Sequence, residues 1–75
     1  IIRKDAPQHP VNLSGREKEV LRLISKGLST QEIAEMLSIS ERTVERHRTT
    51  LLEKTGSRNA VSLIIYALKN NLISI

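Results

Sequence analysis

The 75-residue sequence contains no cysteine and almost no aromatic side chains. The lack of cysteine excludes disulfide bonds and thiolate metal sites, and it is compatible with a reducing cytoplasm. One tyrosine, with no phenylalanine or tryptophan, leaves no platform for stacking on unpaired bases, which argues against binding of single-stranded nucleic acid. No apolar run is long enough to span a membrane, and no signal-peptide pattern opens the chain.

The chain does carry an excess of positive charge. It has 12 Lys and Arg against 8 Asp and Glu, a formal net charge of +4, and an isoelectric point of about 10.0. This balance favours a polyanionic partner, and the shortage of aromatic side chains favours double-stranded DNA over single strands. The length allows one small domain. We therefore expect a cytoplasmic DNA-binding domain with no membrane partner.

The first part of the chain differs in composition from the rest. Residues 1–12 contain both prolines and no helical spacing of apolar residues, which predicts a linker or tail from a removed upstream domain. The start at Ile1 rather than at a methionine also indicates a piece of a longer protein. Residues 13–75 are predicted to form the folded domain.

Serines mark three helix starts. Ser14 with Glu17, and Ser29 with Glu32, fit the capping box, in which each side chain accepts from a backbone N–H of the other. Ser40 begins a third helix with an incomplete box, since Thr43 stands in place of the glutamate.

Two glycines, Gly27 and Gly56, stand where a left-handed residue would end a helix. Starts and stops together predict an all-α fold with helices at about 15–26, 30–37, 41–55 and 60–70, bounds that hold within about two to four residues. The core stripes predicted from helical spacing are Val20, Leu21, Leu23, Ile24, Ile33, Ala34, Leu37, Val44, Leu51, Leu52, Leu63, Ile64 and Ala67.

The short connection at residues 38–40 predicts a helix-turn-helix, with the third helix as the longer and more basic partner. In a helical projection Val44 and Leu51 face the core, and an arginine-containing face lies opposite. This face is either an ordinary solvated surface or a surface that reads DNA. Arginine and threonine favour the second interpretation, because they can contact base edges and phosphates. Arg48 falls near the core side, so we expect its stem to pack and its guanidinium to reach outward to a phosphate.

The sequence also resembles a known family. The motifs that carry the resemblance are L-S-x-R-E followed by V-L (residues 13–21), G-L-S-x-x-E-I-A (27–34), I-S-x-x-T-V-x-x-H (39–47) and N-x-L-I (70–73). They are similar to the DNA-binding domain of LuxR/NarL/FixJ-type (GerE-like) bacterial transcription regulators. The resemblance implies a four-helix helix-turn-helix domain whose third helix enters the major groove.

Carried over by position, the resemblance implies that Glu45, Arg46 and Thr49 read bases. It implies backbone or framework contacts for Thr30, Gln31, Thr43, His47, Lys54 and Arg58. From the position of the basic face we add Arg42, Arg48 and Thr50 to the predicted DNA-backbone contacts. Thr55 and Ser57 stand where the family usually has apolar residues.

The predicted fourth helix has a second apolar line beyond its core stripe, formed by Val61, Ile65, Leu68 and Leu72. One helix cannot bury both lines in one small core. We predict a weak symmetric homodimer through this line, which the resemblance also suggests. The alternative is that Leu68 and Leu72 fold back into the core and leave Ile65 alone exposed.

An enzyme is disfavoured, because the two histidines, His9 and His47, show no metal-ligand spacing and no nucleophile or phosphate-loop motif is present. No catalytic residue, metal ligand or cofactor is predicted. His47 is expected to pack against the second helix or to contact a phosphate.

Two related functions stay open. A helix-turn-helix that binds protein is disfavoured by the three arginines of the third helix. The promoter-reading module of a sigma factor shares the helix pair, but a further capped helix after Gly56 fits the regulator family better. The resemblance implies an upstream phosphoacceptor receiver domain or a small-molecule-binding domain.

Overall fold

The computed structural model describes residues 11–73, which form four helices. These are α1 (Gly15–Ser25), α2 (Thr30–Leu37), α3 (Glu41–Thr55) and α4 (Ala60–Lys69). No strand occurs between residues 11 and 73. The all-α prediction is confirmed, and every predicted helix bound lies within one residue of the observed bound.

The starts of α1 and α2 are complete capping boxes. Glu17 N–H donates to Ser14 Oγ at 3.1 Å and Ser14 N–H donates to Glu17 Oε1 at 2.9 Å. The same pair of bonds joins Ser29 and Glu32, at 3.1 and 2.8 Å. Each box satisfies backbone donors that an unfinished helix end would leave without partners.

The starts of α3 and α4 use single caps. Thr43 N–H donates to Ser40 Oγ at 3.0 Å, and the two hydroxyls of Ser40 and Thr43 lie 2.9 Å apart. Thr43 thus occupies the glutamate's position, and its hydroxyl bonds the hydroxyl of Ser40. Asn59 caps α4, since its Oδ1 accepts from Ser62 N–H at 2.9 Å.

All four helices end in the same way. A left-handed residue follows the last turn, and the N–H of the next residue donates to a carbonyl five residues earlier, which is the Schellman arrangement. These bonds are Leu28 to Leu23, Ile39 to Ala34, Ser57 to Leu52 and Leu72 to Ala67, at 2.8–3.2 Å. The left-handed residues are Gly27, Ser38, Gly56 and Asn71, with φ between 57° and 88°.

Three of these ends place an apolar side chain after the left-handed residue, and the end of α3 places Ser57 there. Its hydroxyl lies 2.7 Å from Thr55 Oγ1, which also donates to Leu51 O at 2.8 Å. The two polar residues therefore satisfy each other and the helix backbone. This bonding explains how α3 ends without the apolar residues usual in the resembling family.

The core lies around α3, which contacts each of the other three helices. Val44 and Leu51 of α3 are completely buried. Of the predicted core residues, Leu37, Leu52 and Ile64 are partly buried and pack against the core. The other ten are buried, together with Leu13: Val20, Leu21, Leu23, Ile24, Ile33, Ala34, Val44, Leu51, Leu63 and Ala67.

The folded unit also includes two residues from the stretch that was expected to be linker. Val11 packs against the core, and the Asn12 carbonyl accepts a hydrogen bond from Lys54 Nζ at 2.9 Å. The rest of that stretch, residues 1–10, lies outside the described residues, as do residues 74 and 75.

Candidate nucleic-acid interface

The outer face of α3 is formed by exposed polar and charged residues spaced along one side of the helix. The burial of Val44 and Leu51 on the opposite side fixes the rotation of α3, so this face must point away from the core. The residues of this face are Arg42, Glu45, Arg46, Thr49 and Glu53. All three predicted base readers, Glu45, Arg46 and Thr49, are thus on one accessible surface.

The arginines of this face are not neutralised by the protein. Among residues 11–73, ion pairs join Arg16 to Glu19 and Lys54 to Glu17, and neither involves Arg42 or Arg46. A planar guanidinium without a carboxylate partner can donate two parallel hydrogen bonds to a guanine edge or a phosphate. The face therefore offers directional donors to an anionic partner.

Arg48 lies at the edge between this face and the core. It is half-buried, and with Ile24, Leu52 and Leu63 it lines a small gap between α1, α3 and α4. The stem therefore packs on apolar side chains, as the sequence predicted, while the charged end must lie toward water.

Three other α3 residues with predicted backbone contacts, Thr43, His47 and Thr50, are half-buried. The Thr43 hydroxyl already bonds the cap residue Ser40. These side chains flank the exposed face instead of lying on it. They are placed to support it or to contact a phosphate at its border.

The start of α2 supplies the other predicted backbone contacts. Thr30 and Gln31 are its first two residues, with Thr30 half-buried and Gln31 exposed. The N-terminal end of a helix carries a partial positive charge and attracts anions. The position is thus compatible with a phosphate contact, and the turn at residues 38–40 joins it to α3.

Lys54 differs from the other predicted contacts, because its ammonium group is already engaged. Nζ lies 2.8 Å from Glu17 Oε1 and 2.9 Å from Asn12 O. The ammonium and the Ser14 N–H hold the pKa of the Glu17 carboxyl below its usual value, against a smaller opposing effect of burial.

Arg58 lies in the turn between α3 and α4, where it lines a shallow cleft of about 310 Å³. Lys69, at the last turn of α4, lines the same cleft with Ser62 and Tyr66. The cleft brings together two cations that are eleven positions apart in the sequence. Arg58 is a predicted backbone contact and Lys69 is not, because the only local signal at Lys69 is a cation in the last turn of a helix.

The apolar line on α4 is shorter than the sequence predicted. Val61, Ile65 and Leu68 are exposed by 66%, 48% and 38%. Because α4 ends at Lys69 and the chain turns at Asn71, Leu72 packs against the core. The prediction that Leu72 continues the line is corrected, and the exposed line has three residues.

Comparison with known families decides what kind of domain carries this face. The profile described as "Bacterial regulatory proteins, luxR family" matches residues 11–67. The chain belongs to this family. As a member of the luxR family it is a helix-turn-helix DNA-binding domain of a transcription regulator and falls outside the enzyme classes. The match also sets aside the sigma-factor alternative.

Several luxR-family relatives share most of this chain. The oxygen regulatory protein NreC of Staphylococcus aureus is 48% identical over 61 residues, which cover 81% of this chain and 28% of NreC. The probable transcriptional regulator ycf29 of Porphyra purpurea is 45% identical over 62 residues, covering 83% and 30%. The chain thus spans less than a third of the length of these relatives.

Solved structures of the luxR family share the fold. The transcription factor GerE superimposes with a TM-score of 0.79 at 34% identity, covering 83% of this chain and 92% of GerE. Vibrio cholerae VqmA, a LuxR-type receptor with a target DNA, superimposes with a TM-score of 0.81 at 36% identity. The match covers 84% of this chain and 28% of VqmA. The response regulator ChrA superimposes with a TM-score of 0.78 at 35% identity. The match covers 91% of this chain and 33% of ChrA.

Residues 11–73 contain neither a candidate metal site nor a candidate membrane-spanning helix. No group of three or more His, Asp or Glu side chains in this range is placed to hold a metal ion. None of the four helices is both long and apolar enough to cross a membrane.

Proposed function

We propose that the chain binds specific sequences of double-stranded DNA as the C-terminal output domain of a bacterial transcription regulator, in which α3 reads the major groove. The observation that carries the proposal is the outer face of α3, where Arg42 and Arg46 are exposed and have no carboxylate partner among the described residues. An α-helix fits the major groove, and arginine is the side chain best suited to guanine recognition there.

Base reading is assigned to Glu45, Arg46 and Thr49, which share this face. The Glu45 carboxylate repels phosphates but can accept a hydrogen bond from cytosine N4, so it favours selective reading over general attraction to DNA. Arg46 can donate to guanine O6 and N7, and Thr49 can bond either kind of base edge. These three residues supply specificity.

Affinity comes mainly from contacts with the DNA backbone. We assign these contacts to the cations Arg42, Arg48 and Arg58. Further backbone contacts are assigned to Thr30, Gln31, Thr43, His47 and Thr50. Each phosphate that a cation neutralises makes the negative slope of log K against log salt steeper by about 0.9.

The larger protein and its assembly are also part of the proposal. Relatives such as NreC are more than three times as long as the matched segment, and ChrA is a response regulator of a two-component system. We infer an upstream receiver domain or a ligand-binding domain, and a cytoplasmic protein with access to the chromosome. Val61, Ile65 and Leu68 form the proposed homodimer contact.

The test is selection of duplexes from a random DNA pool by this domain and by Arg46→Ala. We expect a recovered motif that loses preference at one base position in the variant, with a cost to specific binding of about 1–3 kcal/mol. Arg22→Ala, which removes an exposed arginine from α1, is the matched control and should leave the motif unchanged.

Two results would contradict the assignment. If Arg46→Ala weakened specific and random duplexes equally, Arg46 would contact only the backbone. If the wild-type domain enriched no sequence at all, the alternative of a helix-turn-helix that binds protein would be favoured.

A further inference from the structure

Lys54 joins three parts of the chain at one point. It lies in the last turn of α3, and its ammonium group contacts Glu17 Oε1 on α1 at 2.8 Å and the carbonyl of Asn12, just before α1, at 2.9 Å. An ammonium group has three N–H donors, and these two contacts engage two of them. The end of the proposed reading helix is thereby connected to the segment that enters the domain.

The carboxylate partner is held firmly in place. Glu17 is only 8% exposed, and Oε1 accepts from Ser14 N–H as well as from Lys54. Removing Lys54 would leave this carboxylate without its charged partner at a site that is largely shielded from water. If Lys54 moved to a DNA phosphate, Glu17 would lose this compensation.

Apolar packing reaches only the start of the last turn of α3, where Leu52 packs against the core. Val44 and Leu51 are the buried residues of α3, and after Leu51 each remaining residue of the helix is partly or fully exposed. Beyond Leu52, the polar contacts that join the last turn of α3 to α1 are those of Lys54, whereas apolar packing holds the helix up to Leu52. A polar connection fixes direction as well as distance.

We propose that Lys54 and Glu17 are positioning residues that hold the C-terminal end of α3 against α1, so that α3 meets the groove at one angle and Lys54 makes no phosphate contact. This inference rests on the proposed DNA reading by α3. It replaces the sequence-based expectation that Lys54 contacts the DNA backbone.

The first measurement is the salt dependence of binding to the selected duplex. Lys54→Met removes the ammonium and keeps most of the stem, and Arg42→Met is the comparison for an unpaired cation. We expect the slope of log K against log salt for Lys54→Met to equal that of the wild type, whereas the slope for Arg42→Met should be less steep by about 0.9. A slope less steep by about 0.9 for Lys54→Met would overturn the proposal.

The second measurement is the ratio of affinities for selected and random duplex, taken at a temperature where circular dichroism shows each variant folded. We expect Lys54→Met and Glu17→Gln to lower this ratio about tenfold, which corresponds to roughly one misplaced base contact. Lys54→Arg keeps the cation and should restore most of the ratio. An unchanged ratio in both variants would mean that the contact serves stability alone, and the proposal would be wrong.

Urea unfolding separates this proposal from the proposed function. The double variant of Glu17→Gln and Lys54→Met should lose less stability than the sum of the single variants, because each single change already breaks the same contact. If the wild type fails to discriminate between duplexes, the proposed function is wrong. If the stability losses of the single variants are additive in the double variant, the connection between α1 and α3 is refuted, whatever the DNA-binding result.

Discussion

Glu17 is the residue whose environment departs most from what its type suggests. A glutamate in the first turn of a helix is usually solvated, yet this carboxylate is buried and accepts hydrogen bonds from Ser14 and Lys54. The Lys54 ammonium is the larger cause of its lowered pKa, followed by the Ser14 N–H. Oε1 of Glu17 therefore takes part both in the capping box of α1 and in the attachment of α3.

This lowered pKa predicts a dependence of stability on pH. A carboxyl whose pKa is lower in the folded state stabilises the fold above its unfolded pKa, and the contribution is lost as pH falls through the folded value. We expect the free energy of unfolding of the wild type to fall more steeply below pH 4.5, the reference value for the group, than that of Glu17→Gln. Urea unfolding at several pH values measures both curves.

Glu19→Gln is the control for this experiment. Glu19 is on the same helix but exposed, in a surface pair with Arg16 at 3.4 Å, and such pairs contribute little to stability. Its curve should follow that of the wild type. Parallel curves for the wild type and Glu17→Gln would show that the Lys54 contact is not formed in solution.

At the scale of elements, the four helices end in the same backbone conformation with different residues. Glycine occupies the left-handed position after α1 and α3, but Ser38 and Asn71 occupy it after α2 and α4. A left-handed conformation is unfavourable for a residue with a β-carbon. The turn of the helix-turn-helix at Ser38 is therefore built with local strain.

Ser38→Gly should relieve this strain. The left-handed conformation costs about 1–2 kcal/mol for a non-glycine residue, and the greater freedom of glycine in the unfolded chain cancels about 0.5–1 kcal/mol. We expect Ser38→Gly to raise the free energy of unfolding by about 0.5–1 kcal/mol, as measured by urea denaturation.

The reciprocal change provides the control. Gly56→Ser places a β-carbon at φ 67°, where the space around the new atom is open, so backbone conformation alone should lower stability. A Ser38→Gly variant less stable than the wild type would show that the serine side chain contributes a contact at this turn.

At the scale of the whole molecule, two surfaces face outward with different chemistry. One is the arginine-containing face of α3, and the other is the apolar line of Val61, Ile65 and Leu68 on α4. α3 contacts α4 as well as α1 and α2, so the two surfaces belong to one rigid unit. A symmetric pair joined through α4 would then set a fixed separation between its two reading helices.

Ile65→Glu tests this assembly. A carboxylate at the centre of the apolar line should abolish cooperative binding to a duplex with two half-sites, while binding to a single half-site stays the same. Sedimentation of the protein with each duplex measures the stoichiometry. Met36→Glu is the control, because Met36 is 66% exposed on α2, and unchanged cooperative binding by Ile65→Glu would refute the α4 dimer.

The helices and their limits could be predicted from the sequence alone. The capping boxes at Ser14 and Ser29 and the left-handed glycines at Gly27 and Gly56 act over three to five positions, so neighbouring residues suffice to identify them. Helical spacing likewise located Val44 and Leu51 on the buried side of α3 and Arg46 on the opposite side. The family motifs depend on the same local spacing.

What tertiary structure decided lies between positions far apart in the chain. Lys54 meets Glu17 and Asn12 across 37 and 42 positions, and no local pattern distinguishes a lysine that is engaged in this way from one that is free. Leu72 was assigned to the apolar line by helical spacing, but the turn at Asn71 carries it back to the core. Short-range hydrogen bonds determine the helices, whereas the packing of α1, α3 and α4 determines which charges are neutralised and which apolar residues stay exposed.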